Sequence, residues 1–354
     1  MKRVDPAEFA MVPVARERDW LIPSALMTAG LGLAALLLMP VAGYQHIPDY
    51  FGRFVNWLNF MFAGVIFWMI VQVHRLRKAG VESPISEIGA RFRAHRATTL
   101  AAVAGGMLAG VDMLCFMWIK PELTAVSPFW ADELLANIDH AVFGTDPWRL
   151  FQGIDLTVHA GAYSFLWAVA IMGTVMWLLA QRPSAERSAS LCAYFAIWSV
   201  FGTVGQLLLS SAGPIFYQHA GLGDRFAELS NNIPEVTEMV SGYLWKFHTS
   251  GTLGVGAGIS AMPSLHIATA TWIYLTFRGQ GSRLAPVAAL FVLYMWALSV
   301  ALGWHYAVDG IVGAGGAFLC RRACHGLLKR RQARVASALV EIESPHGASA
   351  FRGL

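Results

Sequence analysis

The sequence predicts an all-α, polytopic integral membrane protein with about eight transmembrane helices. Three observations lead there. Hydrophobic residues make up 56% of the chain and charged residues only 14%, a balance outside the soluble norm. The apolar residues fall in long runs, and eight of these approach the length a bilayer requires: 20–43, 55–73, 100–119, 162–180, 191–211, 263–277, 284–303 and 306–320. The connecting segments alternate in charge. Of the 26 lysines and arginines, all but Arg53, Lys120, Arg149, Arg225 and Lys246 lie on one side of such an arrangement. By the positive-inside rule that side is cytoplasmic and carries both termini.

Each element has its own reason. The first run follows a polar leader, is too long for a signal peptide and lacks a small-residue cleavage site, so it is read as a retained helix. With the second run it forms a hairpin. The basic connector 74–96 then faces lipid headgroups. Asp112 sits inside the third run, where an unpaired acid is costly; pairing with a hydroxyl or indole on a neighbouring helix is the first expectation and a functional-site role the second. The stretch 135–148 reads as an amphipathic helix closed by Gly144 and Pro147, with Asp139 and His140 as its polar pair, suited to shaping a lid or docking lipid. The fifth run ends at Gly213-Pro214, leaving the Tyr217 hydroxyl at the membrane surface. The long polar segment 218–259 holds His219, Arg225, Lys246 and His248. Its Thr252–Gly258 glycine string has no preceding strand and reads as a flexible loop.

Other classes are excluded. The net charge of +4 follows from the cytoplasmic bias and needs no nucleic-acid partner. Cys115, Cys192, Cys320 and Cys324 lie in or beside apolar runs, so no disulfide framework is expected, and their spacing does not make a metal site.

The chemistry is concentrated in 260–313. Ser260-Ala-Met-Pro-Ser-Leu-His266 opens one apolar run, and Gly303-Trp-His305-Tyr-Ala-Val-Asp309-Gly310 opens another. A helix, a turn at 278–283 and an antiparallel helix between them return the chain to the same membrane face. His266 and His305 then share that face. Asp309 lies one helical turn past His305, where a carboxylate can orient an imidazole. The first turn after Ser264 offers free amides to an anion.

Pro-Ser-Leu-His followed some forty residues later by His-Tyr-x-x-Asp resembles the second and third motifs of the phosphatidic acid phosphatase type 2 (PAP2) superfamily. The surrounding words, with softer matches at 139–147 and 210–217, are similar to its inositolphosphotransferase-like branch, which includes inositol phosphorylceramide synthases. The resemblance implies a six-helix catalytic core over 99–322. In front stand a tail, hairpin and connector (1–98), and behind it a basic cytoplasmic tail (323–354). It implies His305 as nucleophile on phosphorus, Asp309 as its orienting acid and His266 as acid then base. Ser264 and nearby amides would hold the phosphoryl oxygens, without metal or cofactor. One departure stands out: the family's Lys-x6-Arg-Pro motif is absent and Ser299 occupies the place of an arginine six residues before His305. Lys246 and Arg225, with His248, are the first replacements by location; Lys120 and Arg149 come second, and Tyr217 is a further substrate contact.

The implied activity is transfer of a phosphoryl or phospho-alcohol group from a lipid phosphoester to a lipid hydroxyl. Hydrolysis of phosphatidate or a polyprenyl phosphate by the same residues is the alternative, and a non-enzymatic lipid transporter comes third. The expected setting is a bacterial inner membrane, with lipid phosphates as partners and the site on the outer face.

Overall fold

The computed structural model describes residues 6–39, 46–251, 254 and 256–343. Thr252, Leu253 and Val255 of the glycine string, residues 40–45, and residues 1–5 and 344–354 lie outside the described residues. The described chain is helical with no strand.

Five helices are long and apolar enough to cross a membrane. They are α1 (Pro6–Leu38, from Glu17), α2 (Ile47–Lys78), α4 (Arg96–Val126), α6 (Thr157–Leu179) and the continuous rod of α7 (Ala185–Ala196), a π turn (Ile197–Gly202) and α8 (Thr203–Leu208). Between α2 and α4 the basic connector folds as α3 (Pro84–Ala94), with Pro84 at its first position, where a missing N–H costs nothing. The last three expected spans also form helices. However, α11 (Leu265–Gly279) has 15 residues and α12 (Ala285–Ala301) has 17, about 22 and 26 Å at 1.5 Å per residue. Both fall short of the ~30 Å hydrocarbon layer. By contrast α13 (Ala307–Glu343) runs well beyond the expected limit at 320 and through most of the basic tail. Beside the site end lie α5 (Asp132–Phe143), α9 (Ala227–Ser230) and α10 (Glu235–Ser250).

The two helices of the first hairpin have different surroundings. α1 packs along α4 and α7, and Trp20, Leu31 and Ala35 are buried in the main core with Ile119, Leu178, Tyr194 and Trp272. The hydrophobic stretch of α2 buries no residue, although Trp57 nearer its start is buried and donates to the Gly106 carbonyl (2.9 Å). α1 is therefore part of the core's packing. At its base Arg187 is fully buried, donates to both oxygens of Glu17 (2.8 and 2.9 Å) and to the Leu178 carbonyl (2.8 Å), and lies over Trp20. Asp112 accepts from Thr28 of α1 (2.8 Å) and from Ser199 of the π turn (2.6 Å). Both hydroxyls bond Oδ1 of the intramembrane acid, and its Oδ2 is buried with no hydrogen-bond partner among the described residues.

Candidate active site

The two motif segments are fixed from three sides. The 260–264 segment is held by Ser211, whose carbonyl accepts from Ala261 N (2.9 Å) and whose hydroxyl accepts from Met262 N (3.1 Å). Ser264 then caps α11, its Oγ accepting from Ile267 N (3.4 Å), the usual role of serine at a helix start. α13 crosses this turn closely: a Cβ on Gly313 would sit 2.4 Å from the Ser264 carbonyl, so only glycine fits. Gly213 is equally constrained, with φ +98 and a Cβ position 2.7 Å from the Trp304 carbonyl.

This framework brings His266 and His305 to a ring-centroid separation of 5.7 Å at 63°. His305 is 5% exposed. Its Nδ1 lies 2.7 Å from the Ala261 carbonyl oxygen. A carbonyl can only accept, so Nδ1 carries the proton of the neutral ring and Nε2 keeps its lone pair. Asp309 Oδ2 is 3.6 Å from the same Nδ1, beyond hydrogen-bond length. That oxygen accepts instead from Tyr306 N (2.9 Å). The expected orienting bond thus comes from Ala261, and Asp309 acts as the acid three places into α13 that reaches back to the helix cap while lending its charge to the ring.

His266 is half-buried between Tyr163 (4.9 Å, near parallel) and Trp167 (4.3 Å) of α6. Trp167 is itself fixed by donating to Thr269 Oγ1 (2.8 Å). Lys120, at the end of the apolar part of α4, is close enough for its charge to act on the His266 ring. Its carbonyl is held by Gln206 Nε2 (2.9 Å), and its stem packs so near Gly258 that a Cβ there would meet Lys120 Cγ at 3.2 Å. Ser299, six residues before His305, is fully buried, and its carbonyl accepts from Trp304 N (3.0 Å).

A second layer consists of carboxylates on backbone amides. Asp139 accepts from Ala307 N (2.6 Å) and Val308 N (2.9 Å), the first two amides of α13. It caps from outside the helix that carries Asp309. Asp132 accepts from Ala212 N and Gly213 N (both 2.8 Å) and from the Tyr306 hydroxyl (2.9 Å), joining the 210–217 segment to the His305 turn. Burial raises the pKa of both acids, while those amide bonds pull it down. A small cavity of about 10 Å³ beside His305 is lined by Asp139, Asp146 and Tyr306, room for about one water.

The other expected contacts are placed differently. Arg225 donates to Asp146 (2.6 Å), Asn137 (2.7 Å) and the Ala136 carbonyl (2.9 Å). Its guanidinium is occupied in tying the 218–226 loop to α5. Lys246 is exposed on α10, and its ammonium makes no ion pair among the described residues. His248 stacks with Phe129 and Trp245, and Arg149 pairs with Glu228 (2.6 Å). Tyr217 is buried against Phe226, where it packs the loop. His140 lies 3.6 Å from Asp146. Sequence reasoning passed over Asp132 and ranked Lys120 low. Among the described residues no three His, Cys, Asp or Glu side chains converge to hold a metal ion.

Fold and site together describe a helical, membrane-type chain in which two histidines and a buried acid are brought together. Residues 152–321 match the family model described as the PAP2 superfamily. The matched stretch contains His266, His305 and Asp309 and leaves α1 to α5 outside it. It is narrower than the 99–322 expected, and the 139–147 segment falls in the part not matched. No curated protein and no solved structure matches the chain.

Proposed function

We propose that this chain is a lipid phosphotransferase of the inositolphosphotransferase-like type within the PAP2 superfamily, working on the outer face of a bacterial inner membrane. The observation that carries the reading is the facing pair of imidazoles 5.7 Å apart, one of them held in a single tautomer by the Ala261 carbonyl.

In the first half-reaction His305 Nε2 attacks the phosphorus of a lipid phosphoester. A P–N bond forms, the P–O bond to the leaving lipid breaks, and His266, which takes up a proton together with the anionic phosphoester on binding, gives that proton to the leaving oxygen. The positive charge left on the His305 ring is stabilised at Nδ1–H by the Ala261 carbonyl and the Asp309 carboxylate. In the second half neutral His266 takes the proton of an acceptor lipid hydroxyl. That oxygen attacks phosphorus and releases His305. Lys120, Ser264 and the first amides of α11 stabilise the phosphoryl oxygens. Lys120 replaces Arg225 in this role because Arg225 is already neutralised by Asp146.

The test is mass spectrometry of purified protein incubated with a bacterial lipid extract, following lipid products and free phosphate. A new phosphodiester lipid that is absent with His305→Ala is the expected result. Free phosphate with only dephosphorylated lipid would replace the transferase by a phosphatase. Full turnover by His305→Ala would end the mechanism.

A further inference from the structure

At the end of α2 remote from its junction with α1, a cleft of about 470 Å³ opens between α2 and α3, within the range of small-ligand sites. Ile66, Met69, Ile70, Val73 and Ile85 form its wall, and His74 and Arg77 close one end. The wall is apolar and open: Ile70 is 61% exposed and Ile85 71%. α3 is held over it by the Trp68–Phe92 ring contact (5.7 Å) and by burial of Pro84 and Ile88.

Two features of this cleft specify an occupant. The first is length. From Ile66 to Arg77 the helix rises about 16 Å, close to the ~15 Å of hydrocarbon in one bilayer leaflet. The second is charge. Arg75, Arg77 and Lys78 form the last turn of α2; they are exposed, and none has a carboxylate partner among the described residues. Arg91 of α3 is already paired with Glu87 (2.7 Å), and Glu82 in the connecting turn is the one nearby acid in sequence without such a pair. An excess of positive charge thus stands at one end of an apolar channel one leaflet long.

We propose that the α2–α3 cleft binds one anionic phospholipid, its headgroup at His74 and Arg77 and an acyl chain along Ile66, Met69, Ile70 and Val73. Its chemistry fits a leaflet lipid: the hydrophobic stretch of α2 buries no residue in the protein, so the cleft is continuous with bilayer hydrocarbon, and basic pockets at helix ends recruit acidic headgroups. The assignment does not depend on the reaction proposed at the histidines.

Native mass spectrometry of the full-length protein, with phosphatidylglycerol or phosphatidylcholine added, tests it. One phosphatidylglycerol per chain should be retained in preference to phosphatidylcholine. Arg77→Ala should weaken that retention about five-fold, the worth of one basic residue at a membrane surface. Ile70→Trp, which fills the channel without changing charge, should reduce retention as well, and Lys329→Ala on α13 should leave it unchanged. Equal losses with Lys329→Ala and Arg77→Ala would mean diffuse adsorption and overturn the site. So would equal retention of the two lipids, insensitivity to Ile70→Trp, or a dimer that forms through this face and excludes lipid.

Discussion

Two buried polar anchors hold this molecule, and they act on different things. Near the histidines Asp139, Asp132 and Asp309 bind backbone amides. Away from them Glu17 binds the side chain of Arg187. The carboxylate–amide anchors fix the path of the chain around the histidines, because the amides lie in the His305 turn itself or in the 210–217 segment that packs against it. The ion pair fixes one helix against another: Arg187 also holds the Leu178 carbonyl at the end of α6, and Glu17 receives Trp20 Nε1 (2.6 Å) on its own helix. Burial is equally deep in both regions. The first should set turnover and the second stability.

That contrast can be broken or sharpened by substitution. The largest effect is expected from His305→Ala, with turnover down about 10³-fold or more and an unchanged melting profile in detergent. Next is Glu17→Ala, which strands a buried guanidinium and should cost about 3–5 kcal/mol of stability. Denaturant titration would measure the loss, and the protein remaining folded should keep its kcat. A fall in kcat matching that of the site variants would dissolve the distinction.

Asp139→Ala comes third. Removal of two charge-assisted bonds, each worth about 1.5–3 kcal/mol, should lower kcat about 10- to 100-fold with little change in KM, and Asp139→Asn should restore part of it through the remaining carbonyl oxygen. A KM effect alone would make Asp139 a substrate contact. Lys120→Met should instead raise KM and lower kcat together, about 10-fold, whereas Arg225→Ala should leave KM unchanged if its work is the Asp146 bridge. The smallest effect belongs to Asp112→Asn, about 1 kcal/mol or less, since an amide oxygen still accepts from Thr28 and Ser199. Thermal unfolding would check it.

Much of this was legible in the sequence where local rules apply. Helix positions followed from apolar run length, and the histidine pair followed from two motifs joined by a helical hairpin. The partner of Asp112 followed from the cost of an unpaired acid in hydrocarbon. Four things were not legible. Composition makes α1 and α2 look alike, yet α1 packs one face along α4 and α7 while the hydrophobic stretch of α2 buries no residue; the small-residue stretch Thr28-Ala-Gly-Leu-Gly-Leu-Ala-Ala35 of α1 is the kind of surface that lets helices approach closely. The tautomer of His305 is set by a backbone carbonyl 44 residues away, which no side-chain motif encodes. Arg225 was proposed for phosphate because it is a cation in the right loop, but Asp146, 79 positions earlier, claims it first. Lys120 is the mirror-image case, since nothing near it in sequence suggests that α4 brings its charge within reach of His266.

The shortness of α11 has a consequence for what the histidines can react with. From Arg278 to His266 the helix climbs about 18 Å. With Arg278 at the membrane surface, His266 stops roughly 12 Å short of the opposite boundary of a ~30 Å hydrocarbon layer. Protein fills that depth: His305 is 5% exposed and His266 lies between Tyr163 and Trp167, so bulk water has little access to either ring. The choice between an alcohol and water as acceptor would then be made by access through this covering, with the same two imidazoles serving either, and one added turn of α11 would be a way to change it.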